Sequence, residues 1–435
     1  MPTIYEFLVY LIYLALFILM LHKITWFRLK ELDKPWIIAA FMFKVLMSVA
    51  LTLLYTYYYT DREHADIYKY FEDGVKLQEI FYRSPAQFMR LMFEIHTENP
   101  QTKALISELN HWYPKVRSMV YNDSRFIIKI NALLAFISLK NIFIHSLFGA
   151  LIGFTGVFAF AKLSEQLLPN ARYAPPLILL FPSVNFWTSV LLKETLLVAV
   201  FGLFILSLYR FIKTFQWMYL PFIIGLFILL FFLKVYVLAC FLCAGVGYIA
   251  IHRVQHKRNT ILIFAATVFI ILIAAWLSDH FLLDGLIAGG LEQKQRDMYN
   301  LAVYMQSGSI MSIPEIHSGE LKSFIYSGLC GLLNTWFMPA KNMGSNPLLW
   351  AATAENILLT ALFVGMLLRM KSFNHREFKI SLICIGYAFL LLAVIGITTP
   401  VAGSVIRYRI PALLMLLMPL SSSLNFLKNS TFRKV

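Results

Sequence analysis

The sequence predicts an all-α fold: a polytopic transmembrane bundle of about eleven helices, with outer-face loops that contain short helices. Three observations predict it. Hydrophobic residues fill 59% of the 435 positions and charged residues only 14%, where soluble domains run at about 45–50% and about 25%. Apolar runs of about 20 residues, the length that crosses a bilayer, recur along the whole chain. The basic residues gather on alternate connections, as the positive-inside rule requires of a membrane protein. Mean hydropathy is +0.70, and the excess of 38 Lys and Arg over 23 Asp and Glu therefore reads as topology, with no nucleic-acid partner implied.

The apolar runs place spans near 5–21, 36–58, 141–161, 174–191, 194–210, 217–233, 235–251, 260–277, 349–368, 380–397 and 410–427. An odd number puts the termini on opposite sides, the N-terminus outside and the C-terminus in the cytoplasm. The cytoplasmic segments are then 22–34, 162–173, 210–216, 252–259, 369–379 and the tail from 428, and each carries Lys or Arg. The first run has no basic residues before it and no small-residue cleavage site, so it is expected to stay as a span. The chain is expected to form a single membrane domain over 1–435, in a bacterial inner membrane.

Two long segments face outward. The loop at 59–140 mixes acids, bases, aromatics and prolines, and predicts short helices lying over the bundle. Its last part, Arg125 to Ser138, sets Phe126, Ile127, Ile130, Leu133 and Leu134 on one helical face and Arg125 and Lys129 on the other, the pattern of an interfacial helix. The second segment, 278–348, contains the Gly-bearing LIAGGLEQKQRDMY and an apolar stretch, Leu321–Met338, expected to be interfacial or re-entrant. The four cysteines, Cys240 and Cys243 among them, lie in apolar runs and read as packing residues.

Four basic residues fall on short outer turns against the topology rule: Lys193, Lys234, Arg407 and Arg409. Singly, each snorkels to a lipid phosphate or pairs with an acid, as Lys193 would with Glu194. Together they make a rim that would hold a phosphate or diphosphate, with Arg supplying bidentate geometry and Lys a point charge. The first outer loop opens with TDREHADIYKYFEDG, which puts Asp66 just beyond the second span beside Tyr68 and Tyr70, rings suited to stack on a sugar. A carboxylate there is placed to deprotonate an acceptor hydroxyl, or belongs to a solvated acidic turn. Asp123, in YNDSR, either caps the interfacial helix or is a second candidate carboxylate. Glu355 lies inside the ninth span, as a functional group or as the partner of an outer-rim cation. His64 is the one histidine placed to contribute to a metal site, which leaves a divalent cation open, and no metal-ligand spacing, P-loop or G-x-S-x-G elbow is present.

HADIYKYFEDG after a span, FPSVNFWTSVLLKE at the outer end of a later span and RYRIP before the last span resemble the GT-C superfamily, and more closely the GT-C-like membrane proteins of Bacteroidota. These motifs amount to about thirty residues, while the arrangement of spans and loops covers most of the chain. The resemblance implies an inverting glycosyltransferase that takes a sugar from a polyprenyl-phosphate-type carrier to a glycan, lipid or protein acceptor on the outer face. It further implies Asp66 as general base, with Lys193, Arg407 and Arg409 on the carrier phosphate. The sequence departs from the GT-C pattern by one extra span before the loop and by His64-Ala65-Asp66 in place of paired acids. Two rivals share the lipid-linked substrate: a polymerase using Arg296, Asp297 and His317, and a flippase or transporter depending on Glu355. A non-catalytic envelope scaffold is the third.

Overall fold

The structure, a computed structural model, describes residues 4–59, 62, 65–112, 123–168, 172–337 and 347–425. Among these residues it is helical with no strands, and a lone antiparallel bridge joins Ile310 to Val401. In chain order the helices are α1 (Ile4–Lys23), α2 (Lys34–Leu53), which runs into a wide π-type turn at Leu54–Tyr58, α3 (Asp66–Arg83), α4 (Pro85–Phe93), α5 (Pro100–Ser107) and α6 (Asp123–Ala135). There follow α7 (Ile142–Leu167), α8 (Ala174–Leu180), α9 (Pro182–Trp187), α10 (Lys193–Thr214), α11 (Leu220–Ile251) and α12 (Lys257–Leu282). The last six are α13 (Leu286–Tyr304), α14 (Leu321–Phe337), α15 (Pro347–Arg369), α16 (His375–Thr398), α17 (Ala402–Tyr408) and α18 (Ile410–Leu420).

Among the described residues, eight helices are long and apolar enough to cross a membrane: α1, α2, α7, α10, α11, α12, α15 and α16. A ninth is added if α17 and α18, bent by 57°, cross as one. The most apolar windows of α1 and α12 are only 11% buried within the protein, leaving Leu, Ile and Phe side chains on surfaces that lipid covers and water would not. The chain is a multi-pass membrane protein.

Nine, counted with the bent pair, differs from the eleven expected runs at two places. The run 174–191 is divided into α8 and α9, because Phe181 precedes Pro182 and takes an extended conformation (φ −63°, ψ 123°); the ring of a proline disfavours helical geometry in the residue before it. The runs 217–233 and 235–251 are joined in α11, interrupted at Lys234 alone (φ −154°, ψ 88°).

Packing divides the chain into two units. The first comprises Met1–Ala159, Val184–Phe204 and Ile224–Leu233. In it α7 lies close enough to the chain entering α10 that a Cβ on Gly153 would collide with the carbonyl of Thr188. Beside this contact the fully buried Lys44 donates to Thr188 Oγ1 at 2.6 Å. The outer loop packs α3 on α6 at Gly74, where a Cβ would lie 2.6 Å from Cβ of Asn131. Asn131 is held in turn by the buried His145 ring, whose Nε2 lies 2.8 Å from Asn131 Oδ1 and whose Nδ1 lies 2.9 Å from Ser138 Oγ. Asn131 Oδ1 accepts only, so Nε2 carries the proton and Nδ1 accepts from the serine hydroxyl.

The second unit comprises Phe160–Ser183, Ile205–Ile223 and Lys234–Val435. Its centre is α16, started by a reciprocal cap between Asn374 and Glu377 and packed by α14 and α18. Backbones of α14 and α16 meet at Gly331 and Gly396, where either Cβ would clash. The stretch 321–338 expected as interfacial or re-entrant is thus α14, packed on α16, with Met338 itself outside the described residues. The segment after α13 straps across the end of α16: Met311 N–H donates to Pro400 O at 2.6 Å and Ala402 N–H to Ser309 O at 3.0 Å. Gln295 fastens α13 to the same place, donating to Pro314 O (3.0 Å) and Ile397 O (2.8 Å) and accepting from Ile316 N–H (3.0 Å).

One turn before Gln295, Glu292 accepts the Ser318 N–H at 2.7 Å. That hydrogen bond, with help from Arg296 and His317 against partial burial, holds its carboxyl below the ordinary glutamate value. A lowered folded-state pKa contributes stability above the unfolded value and loses it as pH falls through the folded one. Thermal unfolding should therefore separate wild type from Glu292→Gln most above about pH 5, and the gap should close below about pH 4.

Candidate functional site

In the first unit, Leu51 from the end of α2, Ala65, Ile67 and Tyr68 from the start of α3, and Val190 and Leu192 ahead of α10 form one buried apolar cluster. Leu54, Tyr55, Ile142, Phe186 and Trp187 pack against it. Two charged residues stand between or beside its members: Asp66, flanked by Ala65 and Ile67, and Lys193, next to Leu192. The cluster brings Asp66 and Lys193, 127 positions apart in sequence by subtraction of their numbers, onto one floor. Lys193 Nζ donates to Ser124 Oγ at 3.0 Å and lies 5.2 Å from the centre of the Tyr70 ring. Tyr70 follows Asp66 by four residues, on the same face of α3.

The electrostatics follow from the helix ends. Asp66 lies in the first turn of α3, and Glu194 in the first turn of α10, where the positive ends of the helix dipoles favour an anion. Ser124 is the second residue of α6, so Lys193 links the starts of α6 and α10 to the opening turns of α3. Lys193 and Asp66 are partly exposed, whereas Glu194 is buried. A fixed cation and a carboxylate at accessible helix starts can bind an anion and accept a proton.

Tyr68, expected as a stacking surface for a sugar, is instead part of the floor. It is 3% exposed, its hydroxyl shares a 2.6 Å hydrogen bond with Thr56 Oγ1, and Arg62 lies 4.6 Å above its ring centre. Tyr70 is also buried, with Lys193 over its ring. Asp123 opens α6, but its side chain, like His64, lies outside the described residues. Among the described residues no group of three His, Cys, Asp or Glu is placed to hold a metal ion.

The polar face of α6 is corrected by the structure. Arg125 and Lys129 do not point to headgroups: both pair with Glu94, at 3.0 and 2.8 Å, and both lie over Trp112, at 5.4 and 5.7 Å. Glu94 reaches them from a left-handed turn (φ 54°) that ends α4. Asp73, also from the acidic opening of the loop, is 1% exposed and accepts the N–H groups of Asn110 and His111 at 3.1 and 2.7 Å. The sequence pattern showed an amphipathic helix, but the acid that makes its cationic face buriable is thirty-one positions upstream of Arg125.

The other three basic residues expected at the rim belong to the second unit, and two of them share a ring. Lys234 Nζ lies 5.0 Å from the centre of Tyr408, and Arg407 Cζ lies 5.3 Å from the same centre. Lys294, which the sequence did not single out, joins them through Tyr236, 5.1 Å from Lys294 Nζ and 5.8 Å from Lys234 Nζ. Arg409 is not at a rim. It is 2% exposed, donates to Glu355 Oε1 at 3.4 Å and to Thr335 O at 3.3 Å, and Glu355 Oε2 accepts the Ser183 N–H at 2.9 Å. Arg407 belongs to the last turn of α17, whereas Arg409 is the residue between α17 and α18, and the two have different partners.

Compared with known proteins, the chain matches no family model, no curated protein and no solved structure.

The buried ion cluster and a solvent-facing pair are separable by stability. Glu94→Gln removes the carboxylate that pairs with the largely buried Arg125 and Lys129 and should cost about 3–5 kcal/mol. Lys103→Met, in the solvent-facing pair with Glu98, should cost no more than about 1 kcal/mol. Denaturation of the two purified variants beside wild type measures both.

Proposed function

We propose that the protein is an inverting membrane glycosyltransferase. It would take a sugar from a polyprenyl-phosphate-type carrier to a glycan, lipid or protein acceptor on the outer face of a bacterial inner membrane. The observation that carries this reading is the joint placement of Asp66 and Lys193 on one apolar floor at the starts of helices. The acceptor hydroxyl attacks the anomeric carbon while Asp66 takes its proton. The bond from that carbon to the phosphate oxygen breaks, and the electron pair leaves with the phosphate. Lys193, with the N-terminal ends of α6 and α10, meets the growing negative charge, and an apolar floor strengthens that interaction by excluding water. A single displacement inverts the anomeric centre.

The GT-C resemblance supports this assignment through the same residues, and positive-inside charge supports the orientation. If α8 with α9 makes one crossing and each arm of α11 another, Arg210, Lys213, Arg253 and Lys257 all fall on the cytoplasmic side and the Asp66 loop falls outside. The transporter alternative is weakened by Glu355, whose carboxylate is engaged by Arg409 and the Ser183 N–H in the manner of a structural ion pair. The polymerase alternative is weakened by Arg296, which pairs with Glu292 one helical turn away.

The test is release of free polyprenyl phosphate or diphosphate from host-extracted lipid-linked sugars by the purified protein. Asp66→Asn should lower the rate by about 10²- to 10⁴-fold, the usual worth of a general base. Glu98→Gln, a change in a solvent-facing pair with Lys103 on the same loop, should leave it unaltered. Equal rates in wild type and Asp66→Asn would remove Asp66 from the chemistry, and a chelator added to the same assay reads whether a divalent cation shares the phosphate charge.

A further inference from the structure

Tyr68 and Tyr70 are buried, and the phenol rings that stay accessible near Asp66 lie on another element, the wide turn that closes α2. There the Tyr59 N–H donates to Leu54 O, five residues back, at 3.0 Å, and π-type turns of this kind recur at functional sites. Three rings follow one another along the turn. Tyr58 is 62% exposed and meets Tyr59 nearly at right angles, with 4.9 Å between ring centres and 89° between planes. Tyr59 is partly buried and lies 5.5 Å from Tyr55. Tyr55 packs on the apolar cluster that includes Ala65 and Ile67, the two neighbours of Asp66.

The turn is anchored to the first turn of α3. Thr56 Oγ1 donates to Thr52 O at 2.6 Å, so the 2.6 Å hydrogen bond between Thr56 Oγ1 and Tyr68 is donated by the tyrosine hydroxyl. Thr52 is tied in turn to α7 through Ser146 Oγ at 3.0 Å. Tyr68 follows Asp66 by two residues, so one hydrogen-bonded frame holds the rings and the carboxylate before any ligand arrives, which limits the ordering cost of binding. A tyrosine that only anchors a span at the membrane interface needs no more than a lipid-facing ring. The series Tyr58, Tyr59, Tyr55 runs instead from an exposed ring onto the floor that flanks Asp66.

We infer that Tyr58 and Tyr59 form an acceptor subsite beside Asp66 and that the acceptor is a glycan. A pyranose has a face of C–H bonds, which suits the electron-rich face of a phenol ring, and a rim of hydroxyls, which a tyrosine hydroxyl can meet. A rigid tyrosine supplies that contact at little conformational cost. A lipid acceptor would be served by the Leu, Ile and Phe that fill the other lipid-facing surfaces, and an extended peptide would call for backbone partners along a strand edge, whereas the described residues form no strands. The inference rests on the transferase reading for the role of the bound glycan, and not for the binding itself.

The test uses the full chain in phosphatidylcholine nanodiscs and, as probe, short oligosaccharides freed by mild acid from the envelope of the producing host. Saturation-transfer NMR, with the protein's aromatic protons irradiated, reads contact with the C–H groups of the sugar rings and, on titration, the affinity. Wild type should show the transfer. Tyr58→Ala should weaken binding by about tenfold, the worth of one stacked ring, and Tyr58→Trp, which keeps a ring face, should restore it. Tyr57→Ala removes a similarly exposed tyrosine (70%) outside the ring series and should bind as wild type does. No transfer to the oligosaccharides, equal affinity in wild type and Tyr58→Ala, or equal losses in Tyr57→Ala and Tyr58→Ala would overturn the inference. Any of these beside loss of carrier release in Asp66→Asn would leave the transferase reading standing, with a lipid or protein as acceptor. Oligosaccharide binding that depends on Tyr58, in a protein that releases nothing from lipid-linked sugars, would keep the glycan site and sink the transferase reading.

Discussion

A charged side chain inside an apolar helical protein must find its partner within the protein, because neither lipid nor packed side chains will solvate it. The buried charges meet that demand in different ways. Glu355 serves Arg409 and the Ser183 N–H, Glu94 serves Arg125 and Lys129 together, and Lys44 is left to the hydroxyl of Thr188. The first two are ion pairs that fix how helices pack. They weigh little as net stabilisation, yet their removal would be expensive.

The cations given to aromatic rings are a separate group. Lys193 over Tyr70, and Lys234, Lys294 and Arg407 over Tyr236 and Tyr408, remain partly exposed. A ring face attracts a cation without enclosing it, and exposure separates these residues from the buried pairs more cleanly than the number of charges does. It places Arg409 with the scaffold, although its neighbour Arg407 belongs to the other group. Around Asp66 the same economy holds: Tyr68 and the apolar cluster form the floor, and the carboxylate stands at its edge.

Much of this was legible in the sequence because composition and periodicity act locally. The spans, the start of α6 at Asp123 and the start of α10 at Lys193 follow from apolar runs and the charges that bound them. Lys234 could be read as a break because a lone lysine interrupts two long apolar stretches. The division at Phe181 was also open to reading, since Pro182 excludes helical geometry before it. What could not be read is pairing across long separations. Glu94 with Lys129 and Lys294 with Tyr236 leave no trace in spacing, because each depends on which helices become neighbours; for Glu355 a rim cation was an expected partner, but not that it would be Arg409. Arg407 and Arg409 looked equivalent for that reason, and Tyr68 looked like a ligand surface when packing had already claimed it.

Under the proposed function a lipid-linked sugar is held at Asp66 and cleaved there. The most direct measurement is native mass spectrometry of wild-type protein and the Asp66→Asn variant, both purified from the producing host in native nanodiscs. The variant should retain an intact polyprenyl-linked sugar, because it binds the donor and does not activate the acceptor, and wild type should carry free polyprenyl phosphate or diphosphate. Neither form carrying a polyprenyl lipid, or both carrying the same intact donor, would contradict it.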